Sequence, residues 1–151
     1  MLASSAFANG GAIPPKYTCD GENVNPPLSW SGVIPPSTKS FVLIMDDPDV
    51  PLDIRPDGMF DHWVVFNIPA DVRSLGEASV PPGVQGANTR GDSIYRGPCP
   101  PDREHRYFFR LYAVDTMLGF KEGATKIEVL AAIDGHVIAA GELMGRYDRQ
   151  R

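Results

Sequence analysis

The chain has 151 residues, 42% of them hydrophobic, and a formal net charge of −5, so one domain spanning residues 1–151 with one core is expected. The acidic balance excludes general attraction to nucleic acid or to an anionic membrane, because both need a basic surface. Fifteen prolines and fifteen glycines are interleaved with apolar runs and follow no repeat, which is typical of many turns and short strands.

The first residues carry no targeting signal. They lack a basic segment followed by an apolar stretch of signal-peptide length, so a cytoplasmic location is expected. The longest apolar runs, at residues 41–45 and 63–66, are far shorter than the roughly 20 residues that span a bilayer. No transmembrane segment is predicted.

A strand covered on both faces is predicted over residues 40–46, because apolar side chains occupy both parities there. Pro48 has no amide hydrogen to donate to a sheet, so the chain leaves the strand at Asp47. The Asp47 carboxylate is therefore expected at the end of a sheet, where binding sites are common.

A second strand is predicted over residues 60–68. Strict alternation would place His62 on the same face as Phe60, Val64 and Phe66. His62 is therefore expected to point in the same direction as three apolar side chains.

A third strand is predicted over residues 106–114. Tyr107 lies on one face of it, and His105 projects to the same side if the strand extends that far back.

One helix is predicted, over residues 126–134. Thr125 and Glu128 have the spacing of a capping box at its start, and Gly135 can end it. The apolar stripe expected to face the core consists of Ile127, Leu130 and Ala131. A further strand is predicted over residues 136–143, so the chain is expected to be mainly β and sandwich-like.

Polar groups lie at the predicted strand ends in three segments that are far apart in sequence. They are Asp46, Asp47 and Asp49; Asp61 and His62; and His105, Arg106 and Tyr107. A histidine on an apolar strand face is more often a core residue with a satisfied hydrogen bond than a ligand. Neither histidine alone indicates a site, but the three segments together favour one.

Five motifs make the chain similar to the phosphatidylethanolamine-binding family, and most of all to its bacterial and archaeal branch of Raf kinase inhibitor-like proteins. They are Asp-Pro-Asp-Val-Pro at 47–51, His-Trp-Val-Val at 62–65, Asn-Ile-Pro-Ala at 67–70, Tyr-Arg-Gly-Pro-Cys-Pro-Pro at 95–101 and His-Arg-Tyr at 105–107. Further matches at residues 17–21, 26–30 and 142–147 extend the resemblance over nearly the whole chain.

The resemblance implies a mainly β fold, a Greek-key β-sandwich with one or two short helices. It also implies a surface cavity for a small anion such as phosphate, acetate, cacodylate or a phospholipid head group. The positions of this chain that match the family's site are Asp47, Pro51, His62, Gly97, His105 and Tyr107.

The chemistry of these residues suits an anion. Two imidazoles, the Tyr107 phenol and backbone amides near Gly97 can donate hydrogen bonds. Asp47 would organise the site by accepting a hydrogen bond from an imidazole and fixing its tautomer. The alternative is that Asp47 only caps the turn before Pro48.

Three features depart from the family's pattern. Residues 52–59 lengthen the connection that precedes His62, and a charged spacer at 102–104 ends in Glu104, which could disfavour a bulky anion. The chain stops at residue 151, soon after Tyr147, without room for the C-terminal helix of animal relatives. Binding of a long-chain phospholipid is therefore in doubt.

Cys19 and Cys99 stand where close prokaryotic relatives also tend to carry cysteine. Two interpretations remain open: two buried free thiols, as a reducing cytosol favours, or a disulfide that joins the N-terminal loop to the pocket loop.

The function expected from these features is non-enzymatic binding or regulation through a small-anion pocket. Relatives suggest inhibition of a kinase or a serine protease, and a homodimer is expected by analogy only. The alternative is a hydrolase that uses Asp47, His62 and His105 as acid and base groups, although no nucleophile motif or phosphate-cradling loop accompanies them.

No cofactor is expected, and no metal site is predicted. The aspartates between residues 46 and 61 are crowded, but their spacing does not match an EF-hand loop, so a solvated acidic loop is favoured.

Overall fold

The computed structural model describes residues 1–150, which form eight strands, one helical turn of the 3-10 type at Pro15–Tyr17 and one α-helix. In chain order these elements are β1 (Leu2–Ala3), β2 (Leu28–Trp30), β3 (Ser40–Asp47), β4 (Phe60–Pro69), β5 (Ser74–Leu75), β6 (Val84–Gln85), β7 (His105–Val114), α1 (Lys126–Ile133) and β8 (Val137–Tyr147).

The strands form two antiparallel sheets. The smaller has the order β1-β2-β5, and the larger has the order β6-β4-β3-β7-β8. The mainly β sandwich with one short helix is confirmed. One cluster of buried side chains fills the space between the sheets, and a second lies between the larger sheet and α1.

β3 is the central strand of the larger sheet, and all eight of its residues are buried. Its alternate side chains enter the two clusters, with Leu43 in the first and Ile44 in the second. The prediction that this strand is covered on both faces is confirmed, and the physical reason is that each face of the larger sheet packs against another layer.

β4 contains an irregularity that the alternation rule missed. Met45 pairs with Trp63 but Asp46 pairs with Asp61, so His62 is an extra residue between two paired positions. Such a β-bulge redirects the side chains on one side of it. Val64 and Phe66 lie in the helix-side cluster, whereas the His62 ring lies 5.3 Å from the Tyr107 ring on the other face. The prediction that all four alternate side chains share a face was wrong.

The start of α1 is as predicted. The Thr125 side chain accepts from the Glu128 amide, the Glu128 side chain accepts from the Thr125 amide, and Gly135 follows the helix with a φ of 80°.

The predicted buried stripe of α1 was only partly right. Leu130 is half-buried and packs against the helix-side cluster, but Ala131 is exposed and Ile127 is 79% exposed. The fully buried residues are instead Val129 and Ile133. Lys126 sets this rotation, because its ammonium lies 2.8 Å from Asp46 and 3.1 Å from Asp61 on the sheet. Residues spaced i, i+3 and i+7 from Lys126 share its face and are therefore the ones that pack.

β8 is longer than predicted, because it pairs with β7 along its whole length, from Val114 opposite Val137 to His105 opposite Tyr147. α1 has eight residues, and no helix described in residues 1–150 is long and apolar enough to cross a membrane.

Candidate functional site

A cavity of about 570 Å³ opens where β3 ends and where β4 and β7 begin. These three positions are neighbours because the strands are antiparallel. The cavity is lined by Cys19, Asn23, Asp47, Val50, Ile54, Arg55, Phe60, His62, Thr89, Arg90, Arg96, Gly97, Cys99, Pro101 and His105. The buried members Asp47, His62 and His105 form its floor, and exposed residues such as Ile54 and Arg90 form its mouth.

Asp47 forms part of the floor, and both of its oxygens are occupied. Oδ1 accepts from the Asp49 amide at 2.8 Å, and Oδ2 lies 2.6 Å from His105 Nδ1. Burial raises the pKa of the Asp47 carboxyl, and these two hydrogen bonds oppose that rise. Asp47 therefore both caps the turn before Pro48 and holds an imidazole, so the two alternative roles occur together.

His105 is fully buried and uses both ring nitrogens within the protein. Nδ1 contacts Asp47, and Nε2 lies 2.7 Å from Asp102 Oδ1. The same hydrogen bond lowers the pKa of the Asp102 carboxyl. Both ring nitrogens are thus engaged by carboxylate oxygens. In this arrangement His105 has no ring hydrogen left to donate to a ligand, unlike the role predicted for it.

His62 is held differently. Its Nδ1 lies 2.6 Å from the Arg96 carbonyl oxygen, which can only accept, so Nδ1 carries the hydrogen and Nε2 is left with a lone pair. Burial lowers the pKa of His62 from 6.5 to about 4, so the ring is neutral near pH 7. A ligand oxygen that meets Nε2 must therefore bring a hydrogen, or His62 must take up a proton.

Tyr107 lies between the two imidazoles, with its ring 5.3 Å from that of His62 and 6.4 Å from that of His105. Its side chain is fully buried and, unlike His62 and His105, is not part of the cavity lining. Its hydroxyl is one of the few buried polar atoms in residues 1–150 that has no hydrogen-bond partner. Burial raises the pKa of this phenol, with the nearby Asp47 charge adding to the rise, so the hydroxyl keeps its hydrogen.

Gly97 lines the cavity at a position where no larger residue fits. A Cβ atom there would lie 2.1 Å from the Tyr17 carbonyl oxygen, so only glycine allows the two loops to approach this closely. Its amide donates to Asn23 Oδ1 at 2.8 Å and is not available to a ligand. Pro51 lies outside the cavity lining, and its carbonyl accepts from the amides of Ile54 and Arg55.

Cys19 and Cys99 are joined by a disulfide with Cα atoms 5.5 Å apart. Both residues are exposed and line the cavity. The loops they connect are also held by the Cys19 amide, which donates to the Pro98 carbonyl.

The other polar residues predicted at the strand ends lie elsewhere. Asp46 and Asp61 face α1 and bind Lys126, while Asp49 binds Arg106, which lowers the pKa of the Asp49 carboxyl. Glu104 pairs with Arg146 at 3.0 Å and does not line the cavity.

Three arginines that the site prediction omitted line the cavity: Arg55, Arg90 and Arg96. Arg96 lies inside the Tyr-Arg-Gly-Pro motif, so its neighbour Gly97 was a signal for it, and its Nε is buried without a partner. Arg55 lies in the lengthened segment at 52–59. No sequence signal indicated Arg90.

The described residues contain no group of three or more His, Cys, Asp or Glu side chains that could hold a metal ion. Most of the aspartates around β3 and β4 are instead bound to basic side chains within the protein.

Comparison with known proteins assigns the chain to a family. A family model described as phosphatidylethanolamine-binding protein matches residues 3–148. The chain belongs to the phosphatidylethanolamine-binding protein family.

Bacterial and archaeal proteins are among the relatives of the chain. The chain is 50% identical over 149 residues to a UPF0098 protein of Chlamydia trachomatis, with 99% of each chain covered. It is 51% identical over 154 residues to a UPF0098 protein of Methanothermobacter thermautotrophicus, with 98% of each covered.

Solved structures agree. A phosphatidylethanolamine-binding protein homolog from Chlamydia trachomatis superposes with a TM-score of 0.95 at 50% identity, covering 99% of this chain and 97% of that one. Escherichia coli YbcL, described as a member of the mammalian family, gives a TM-score of 0.88 at 31% identity, with 99% and 98% covered.

Proposed function

We propose that this protein is a non-enzymatic binding protein whose cavity recognises a small anion, namely a phosphate or the phosphoryl group of a larger ligand. The observation that carries the proposal is the Tyr107 hydroxyl, which is buried without a hydrogen-bond partner. Tyr107 is not part of the lining, but its ring packs against His62 and His105, which form the floor of the cavity. Leaving a buried hydroxyl unpaired costs about 1–3 kcal/mol, and an acceptor supplied by a ligand would remove that cost.

A second unpaired donor supports an anion as the ligand. Arg96 lines the same cavity, and its Nε is also buried without a partner, although its Nη2 donates to Asp92 at 3.0 Å. A phosphate oxygen accepts hydrogen bonds from both a phenol and a guanidinium, and the bond to the charged group is the stronger. His62 Nε2 would meet a protonated phosphate oxygen, or would take up a proton itself.

Binding is favoured over covalent catalysis by the state of the nearby nucleophiles. The two cysteines at the cavity form a disulfide, and the Thr89 hydroxyl accepts from the Asp61 amide at 2.7 Å. Both ring nitrogens of His105 are engaged by carboxylates, so it is poorly placed as a general base. A phosphatase and esterase screen on the wild type and His62→Ala tests the hydrolase alternative: activity lost with the substitution would overturn the proposal.

The Tyr107→Phe variant tests the anion site directly. Removing an unpaired hydroxyl should leave the free energy of unfolding unchanged or slightly raised, because no protein hydrogen bond is lost. It should weaken the binding of inorganic phosphate by on the order of tenfold, since one donor to the anion disappears. Isothermal titration calorimetry with phosphate and urea unfolding measure the two quantities.

The matched control is Tyr112→Phe, on the other face of β7, where Tyr112 packs against the cluster between the larger sheet and α1. It should leave phosphate binding unchanged. A Tyr107→Phe protein that binds phosphate as tightly as the wild type, or a wild type that does not bind it, would contradict the proposal.

Three more specific expectations based on the family resemblance are still predictions. Inhibition of a kinase or a serine protease, a homodimer and a cytoplasmic location each need a direct observation. Native mass spectrometry of the protein from its own cell, in search of a retained anion, a second copy or a co-purifying partner, addresses the first two. The exposed disulfide argues against the cytoplasmic location, because such bonds are more usual in oxidising compartments.

A further inference from the structure

We infer that the cavity has a second anion-binding subsite at its mouth, formed by Arg55 and Arg90. Its ligand would then be a phosphomonoester that also carries a carboxylate. This inference rests on the anion site proposed above and names the class of molecule that would fill the rest of the cavity.

The lining of the cavity carries more positive than negative side chains. It contains three arginines but a single carboxylate, Asp47, in a chain whose formal net charge is −5. Of the three, Arg96 is paired with Asp92 at 3.0 Å, outside the lining. Asp47 is buried and bound to His105, so it does not neutralise the arginines at the mouth. One phosphate at the floor, close to Arg96, would leave Arg55 and Arg90 without an anion.

Arg90 lies in a loop whose conformation is held by hydrogen bonds that do not involve the Arg90 side chain. The Asn88 side chain, in a residue only 4% exposed, accepts from the amides of Arg90 and Asp92 and donates to the Ile94 carbonyl. Thr89 is fixed to β4, since its amide donates to Asp61 and its hydroxyl accepts from the Asp61 amide. Arg90 is exposed and lines the cavity, and within residues 1–150 its guanidinium forms no ion pair.

Arg55 is presented in a similar way from the lengthened segment. Its amide donates to the Pro51 carbonyl, its carbonyl accepts from the Gly58 amide, and its Nε donates to the Met59 carbonyl at 3.2 Å. Its nearest acid, Asp57, lies 3.7 Å away and is 61% exposed, so that pair is weak in water. The terminal nitrogens of the Arg55 guanidinium are thus available at the cavity.

The size of the cavity agrees with a ligand larger than phosphate. A volume of about 570 Å³ lies within the range of roughly 300–1,000 Å³ that holds whole small molecules. Val50, Ile54 and Phe60 offer apolar surface for the carbon atoms that would link the two acidic groups.

Phosphoserine and phosphoethanolamine test the inference, because they differ by one carboxylate. Calorimetry at low ionic strength should find that the wild type binds phosphoserine on the order of fivefold more tightly, as expected for a partly exposed charge pair. Arg90→Gln and Arg55→Gln should each reduce this preference, and the double variant should remove it. Added salt should reduce it as well.

The control is Lys39→Gln, which removes one positive charge at the opposite end of β3, about 25 Å from the cavity. It should keep the preference for phosphoserine. Equal binding of the two compounds, or an equal effect of Lys39→Gln and Arg90→Gln, would overturn the inference. If the wild type fails to bind inorganic phosphate, the anion site itself is wrong and the inference falls with it.

Discussion

The two histidines of the cavity show how hydrogen-bond partners divide chemically identical side chains into different roles. His105 lies between two carboxylates, Asp47 and Asp102, which engage both of its ring nitrogens. His62 faces a carbonyl oxygen and is a neutral acceptor. Only His62 has a ring nitrogen left for a ligand.

His62 should make the protein sensitive to acid. Its pKa is lowered from 6.5 to about 4, so the folded protein binds fewer protons than the unfolded chain between these values. Its contribution to stability is therefore complete above pH 6.5 and is lost as the pH falls towards 4, by roughly 3 kcal/mol in total.

His62→Gln isolates this effect, because glutamine can donate to the Arg96 carbonyl but does not titrate. Urea unfolding near pH 7 and about pH 4.5 should show a loss of stability that is roughly 2–3 kcal/mol smaller in the variant. The same loss in both proteins would mean that other groups account for acid sensitivity.

At the scale of elements, the cavity depends on a bulge and on a pair of loops. As the extra residue of the bulge in β4, His62 points towards Tyr107, while the neighbouring Asp61 binds Lys126 of α1. The loops that carry Cys19 and Cys99 meet over the cavity, where a glycine and an asparagine side chain already hold them together. The disulfide thus reinforces a contact that other groups also make.

The Cys19→Ser/Cys99→Ser double variant should lose stability but keep the site. The disulfide links residues 80 apart in sequence, and closing a loop of that length stabilises by roughly 4 kcal/mol in the chain-entropy treatment. Phosphate affinity should change less than about twofold, because the hydrogen bonds between the loops remain. Two alkylated thiols by mass spectrometry of unreduced wild-type protein, or an unchanged unfolding free energy, would contradict this.

At the scale of the whole molecule, the two faces of the larger sheet carry different groups, with the candidate binding site on one face and a helix-anchoring ion-pair network on the other. Neighbouring aspartates show the division, since Asp47 faces the cavity and Asp46 faces α1. Asp46, which is 2% exposed, pairs with Arg110 of β7 and with Lys126, and the pair with Lys126 attaches α1 to the sheet. The site lies on one face, and the charged network that anchors the helix lies on the other.

Lys126→Met should therefore lower the stability of the protein without changing the candidate binding site. It leaves the buried Asp46 with Arg110 as its remaining cation partner, which should lower the free energy of unfolding by roughly 2–3 kcal/mol. Phosphate affinity should be unchanged. Lys121→Met, at an exposed position, is the control and should alter neither quantity. A loss of phosphate binding with Lys126→Met would show that the two faces are coupled.

Much of the fold and the motif residues of the site could be predicted. The three long strands and the capped start of α1 follow from alternation, propensity and side-chain spacing, which act within a few residues. Errors arose where a distant contact decided the outcome. Lys126 rotated α1 by binding two strands, and no local pattern contains that information.

The sequence by itself determined the family, the mainly β fold and the presence of Asp47, His62, His105 and Tyr107 at one end of the sheet. Only the tertiary structure decided what each residue does there. His62 meets Arg96 34 positions away, and His105 meets Asp47 58 positions away, so tautomers and unpaired donors depend on contacts made after the chain has folded. The arginines at the mouth were missed for the same reason, because loops without periodicity bring them to the cavity.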